Sequence, residues 1–279
     1  MNQKTVLVPK GTFHSPVIPA ATILYILTAL AGVLSLFFLF SPNALSYVDA
    51  DSPAGSIKLT WTIIHIGVIA LTVPCAALIG WGVFHTIRGN VKNGMSLISR
   101  MADVMRLVIT GIGCVALVLF VVRLVPYVGY YLSINGGIIP LFSGLLAEVI
   151  LAAAACAIVL LLRKFFDSTG TCALSIAQTL TSGTLHYPSI SITPANGLLI
   201  LGLVSVYLAA NRILTISTWT QYQIPTLSLM TLYCAAAMFL MGGIANLLLF
   251  AYLRRYKYKS EYLLFKGAPV DDTAAKENV

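Results

Sequence analysis

A glutamate, two arginines and a histidine stand inside runs of residues that are otherwise apolar. They are Glu148, Arg123, Arg212 and His65, with Asn211 beside Arg212. An ionisable group in such surroundings must be neutralised, paired or wetted. A carboxylate there can serve as a proton or cation site, or as the counter-ion of a charged substrate. The structural alternative for Glu148 is an ion pair or hydrogen bond that fixes helix packing. Arg123 sits close enough to a run's end to snorkel. Arg212 is deeper and is expected to face other helices or a pocket. A lone histidine such as His65 is more often a satisfied packing residue than a ligand.

These residues depend on the runs that carry them. Of 279 residues, 58% are hydrophobic and 9% charged, with a mean hydropathy of +0.91. Soluble domains carry about a quarter charged residues. Six runs, 17–40, 59–84, 104–125, 138–162, 198–216 and 226–253, approach or exceed the ~20 residues that cross ~30 Å of hydrocarbon as helix. Trp61 and Trp81 bracket the second run. Twenty residues correspond to about 30 Å of helix, and tryptophans favour the two interfaces. Pro74 lies between them and is expected to kink that helix. The first run is too long for a cleaved signal peptide and reads as a signal-anchor helix. The expected fold is all-α: a polytopic integral membrane protein of six transmembrane helices.

Charge orients it. Fourteen of the seventeen Lys and Arg residues fall on one side of this ladder. The exceptions are Lys58, Arg123 and Arg212. By the positive-inside rule both termini are cytoplasmic. The chain then divides into a cytoplasmic segment 1–16, one six-helix domain 17–253, and a tail 254–279 that is first basic, then polar. The basic residues flank apolar runs, where anionic headgroups attract them. They form no patch on a soluble fold, which argues against nucleic acid.

Three cytoplasmic stretches have pattern. In 85–106, Arg88, Lys92, Ser96 and Arg100 recur every four residues beside Met95, Ile98, Ala102 and Met105. Asn93 is a candidate cap for a helix running into the third span, with Gly89 and Gly94 in a turn before it. Arg88, Lys92 and Arg100 are candidate headgroup or partner contacts. The stretch 163–197 holds eleven Ser/Thr and no charge after Asp167. It is expected to be a loop lying on the membrane, re-entering it, or docking a partner, with a short amphipathic helix at Cys172–Thr181. The tail opens Arg254-Arg255-Tyr256-Lys257-Tyr258-Lys259, as expected where a helix leaves anionic lipid.

No H-E-x-x-H, Walker or G-x-S-x-G motif occurs. Cys75, Cys114, Cys156, Cys172 and Cys234 lack metal-ligand spacing. No two of His14, His65, His85 and His186 share a helix face at ligand spacing. Neither a metal nor a cofactor is therefore expected, and an enzyme activity, though left open, has no motif behind it. The third and fifth spans share an outer Arg, a tyrosine-bearing loop and a following Ile-Pro, which suggests two related hairpins.

In outline the topology resembles the six-span permease subunits of bacterial export-type ABC transporters. That resemblance implies a cytoplasmic ATPase, met by 85–105, and carries over no residue. Two functions are expected from these features. One is a transport-related permease or channel-like subunit of the cell membrane with Glu148 in its pathway. The other is a non-transporting assembly, regulatory or structural subunit among other membrane subunits.

Overall fold

The computed structural model describes residues 6–7, 15–40, 53–133, 138–182, 184–185, 191–220 and 226–266. It is helical apart from one two-residue antiparallel pairing, β1 (Val6–Leu7) with β2 (Thr184–Leu185). The helices are α1 (Val17–Leu39), α2 (Pro53–Ile87), α3 (Val91–Ser133), α4 (Ile138–Ser182), α5 (Thr193–Thr220) and α6 (Thr226–Lys266). Among the described residues, six helices are long and apolar enough to cross a membrane. Helix suits lipid because it satisfies its own backbone groups where no water can. Pro74 lies within α2.

Two compact units result. Met1–Ile98 with Cys172–Val279 form one, and Ser99–Thr171 the other. In the first, α6 packs on α5 and on α1, and α1 packs on α2. The buried face of α1 is small and hydroxylic: Ala21, Tyr25, Thr28, Gly32 and Ser35 recur every three or four residues. Ala31, Ile69, Ala209, Ala235, Met238 and Phe239 make one core, and Tyr25, Ala76 and Ala245 a second.

Glycines set the helix spacing. A methyl group at Gly202 would sit 2.8 Å from Leu247 Cγ, and one at Gly243 would sit 2.9 Å from Val206 Cγ2 and 3.1 Å from the Gly202 carbonyl. Helices α5 and α6 therefore cross backbone on backbone. On the other side of α6, a Cβ at Gly242 would meet Thr28 of α1 at 3.2 Å. A Cβ at Gly80 of α2 would meet Tyr25 and Ile26 of α1 at 3.3 Å. Small residues at crossings are what membrane helices use, because lipid offers no hydrophobic drive for association.

The second unit is the hairpin of α3 and α4 over 99–171. Gly113 lies under Val159, whose Cγ1 would be 2.8 Å from an added Cβ. Arg106 donates to Asp167 at 2.7 Å and lies 3.7 Å from Asp103. Along this hairpin most large apolar side chains, among them Leu107, Val118 and Val125 of α3 and Leu151 and Leu161 of α4, are exposed.

Two expectations are corrected. The stretch after Arg163 is not a loop until residue 182, because α4 runs on unbroken to Ser182. Its hydroxyls do not break the helix. They bond back to carbonyls four residues earlier: Thr169 to Phe165 at 2.8 Å, Thr179 to Ser175 at 2.9 Å and Ser182 to Gln178 at 2.7 Å. Cys172 and Ile176 bury against Tyr256, with Met95, Tyr252 and Leu253 around them. That packing stabilises the extension. Likewise α3 begins at Val91, before Asn93, and Asn93 is exposed. The turn is at residues 88–90, where Gly89 takes φ +89°. That left-handed value suits a residue without Cβ. Gly94 belongs to the helix, buried where a Cβ would overlap the Gly82 carbonyl. Pro194 falls in the first turn of α5, where a missing N–H costs nothing.

Leucine at Gly202 or Gly243 is expected to lower the melting temperature in detergent, through overpacking of roughly 1–3 kcal/mol. Leucine at Gly67 or Gly111, where an added Cβ meets nothing within 4 Å, should leave it within error. Equal melting of all four variants would contradict the backbone crossing.

Candidate functional site

Buried hydroxyls and an imidazole meet where α1 ends and α2 and α6 begin their apolar courses. Ser35 of α1 is 0% exposed, His65 of α2 is 7% and Thr231 of α6 is 5%. Ser35 Oγ donates to the Thr231 carbonyl at 3.0 Å. His65 Nε2 lies 3.3 Å from the same Oγ. A carbonyl can only accept and a hydroxyl has one proton, so His65 must donate from Nε2. Arg212 of α5 is half-buried and within electrostatic range of the His65 ring. The structure thus places one of the sequence-predicted residues, His65, in a polar cluster of three helices, with Arg212 of α5 within electrostatic range of it.

Through Ser35 the three groups tie α1, α2 and α6 together at one level. Arg212 adds positive charge within range of this cluster. A guanidinium of this kind suits an anion.

The other expected residues lie elsewhere. Asn211 is exposed, and its carbonyl accepts from Thr215 Oγ1 at 2.9 Å. Glu148 is half-buried on α4 of the hairpin. The side chain of Arg123 lies outside the described residues, as do those of Trp61 and Lys58. Arg88, Lys92 and Arg100 are all exposed, and the Arg88 guanidinium stacks 4.4 Å over Phe84. Trp81 is exposed beside Phe84 and His85 in an aromatic group at the same end of α2.

Sequence reasoning missed Ser35 and Thr231. It also missed a second polar link about 15 Å further along α1, where Tyr25 Oη donates to Asn246 Oδ1 at 2.6 Å. A serine or threonine in an apolar run is too common to mark a site. Asn246 was the legible signal, since an amide in a span must find a partner. Among the described residues no three His, Cys, Asp or Glu side chains gather closely enough to hold a metal ion, and the five cysteines are free thiols. No family model, curated protein or solved structure matches the chain.

Ser35→Ala removes the acceptor of His65 and the donor to Thr231. A loss of about 1–3 kcal/mol is expected for buried groups left unsatisfied. Thr72→Ala, which removes a hydroxyl bonded only within its own helix, is the control. Thermal melting in detergent checks this: a Ser35→Ala midpoint no lower than that of Thr72→Ala would contradict the cluster's role.

Proposed function

We propose that this chain is a multi-pass protein of the cell membrane, with both termini cytoplasmic, and that it acts as a transport-related permease or channel-like subunit. In that orientation the Ser35, His65, Thr231 and Arg212 cluster sits in the outer half of the bundle. Glu148, ten residues into α4, lies about 15 Å below the outer surface. The supporting observation is the cluster itself. Charged side chains within spans are costly, and they mark substrate or ion routes more often than they serve packing. Arg212 would draw an anion in from outside, and Glu148 would carry a proton or cation. A cytoplasmic ATPase or another membrane subunit would meet the exposed cations Arg88, Lys92 and Arg100.

A second reading, a non-transporting assembly or structural subunit, has its own support. The backbone contact of α5 with α6 at Gly202 and Gly243 leaves no passage between those two helices. The hairpin meanwhile offers a long apolar surface to lipid or to neighbouring subunits.

Flux separates the two. Purified protein in vesicles is tested with a chloride-sensitive dye and a pH dye. Transport predicts rates above protein-free vesicles. Arg212→Gln should slow chloride, and Glu148→Gln should slow protons. Each loss should be tenfold or more, as expected for loss of a charge-assisted hydrogen bond of roughly 1.5–3 kcal/mol. Rates equal to protein-free vesicles, or unchanged by both substitutions in well-folded protein, would sink the transport reading and leave the second.

A further inference from the structure

Helix α6 has two faces beyond its apolar course. One is locked: Tyr256 is 2% exposed against Cys172 and Ile176, and Ser260 is buried a turn later. Because that face is fixed, the opposite one is fixed too. It carries Phe250, Arg254, Tyr258 and Tyr262 at four-residue intervals, flanked by Arg255 and Lys259, and these six side chains line a shallow open groove. The Arg254 guanidinium lies 5.9 Å from the Phe250 ring and 5.7 Å from that of Tyr258. It is held between two rings instead of sweeping freely. Tyr258 and Tyr262 remain 54% and 58% exposed. The acid of this stretch, Glu261, is engaged by Lys257 at 3.6 Å.

Depth selects the occupant. The apolar run of α6 ends at Leu253, and Arg254 and Arg255 follow directly, at the level where a spanning helix meets lipid phosphates. Tyr258 and Lys259 reach the outer headgroup. We propose that this groove binds the phosphate-bearing headgroup of an anionic phospholipid, with Arg254 and Arg255 on the phosphate and Tyr258 and Lys259 on the substituent beyond it. Phe250 rests against the acyl chains. The proposal rests on α6 spanning the membrane and not on transport, so an absence of flux leaves it standing.

The full-length protein is extracted from vesicles of phosphatidylglycerol and phosphatidylcholine, and retained lipid is counted by native mass spectrometry. Wild type is expected to retain phosphatidylglycerol preferentially. Arg254→Ala with Arg255→Ala and Lys259→Ala should cut that retention by more than roughly tenfold, since each basic residue at an anionic surface is worth about fivefold. Arg254→Lys with Arg255→Lys keeps the charge and should retain most of it, which guards against a misfolded alanine variant. Excess inorganic phosphate should not displace the lipid. Unchanged retention in the alanine variant, or displacement by free phosphate, would overturn the proposal.

Discussion

Lipid tails are as apolar as leucine, so helices in a bilayer gain little by hiding leucines from it. What binds them is close approach, and in this chain close approach is a matter of a few hydrogens. Gly202 and Gly243 bring α5 and α6 to backbone contact. Gly242 and Thr28 seat the other side of α6 on α1, and Gly80 seats α2 on Tyr25 and Ile26. From these contacts follow the cores around Met238 and Tyr25. So does the approach of Ser35, His65 and Thr231, which come from three helices and meet only if those helices are near.

The buried polar groups then add direction to a framework that close packing alone would leave slippery. The Tyr25–Asn246 and Ser35–Thr231 hydrogen bonds sit at two levels on α1, and both run to α6. Two such links set the register of α1 against α6. His65 ties α2 to the same level. Arg212 brings charge within electrostatic range of His65.

The spans were legible because twenty apolar residues have few other uses, and the six runs correspond to six helices. The helices' full lengths were not. At about 1.5 Å per residue the 45 residues of α4 extend roughly 67 Å, more than twice the hydrocarbon. The excess hides in a Ser/Thr-rich stretch that imitates a loop, because hydroxyls that bond back to their own helix look in sequence like hydroxyls that break one. Cys172 and Ile176, four apart, were the clue, and their partner Tyr256 lies eighty residues away. Asn93 misled for a related reason: a good capping residue two positions into a helix is indistinguishable from a cap. Of the candidate site, the ionisable members His65 and Arg212 were visible as exceptions to the apolar pattern. Their companions Ser35 and Thr231 were not, since nothing local distinguishes a hydroxyl that faces a histidine from one that faces its own backbone.

The claim on which the rest stands is that six helices cross the membrane with the basic ends on the cytoplasmic side. Cysteine labelling tests it most directly. In a variant with the five native cysteines replaced, single cysteines are placed at Asn90, after α2, and at Asn135, between α3 and α4. An impermeant maleimide added to intact cells is expected to label the cysteine at 135 at once and the one at 90 only after lysis. Labelling of both from outside, or of the cysteine at 90 alone, would contradict the topology.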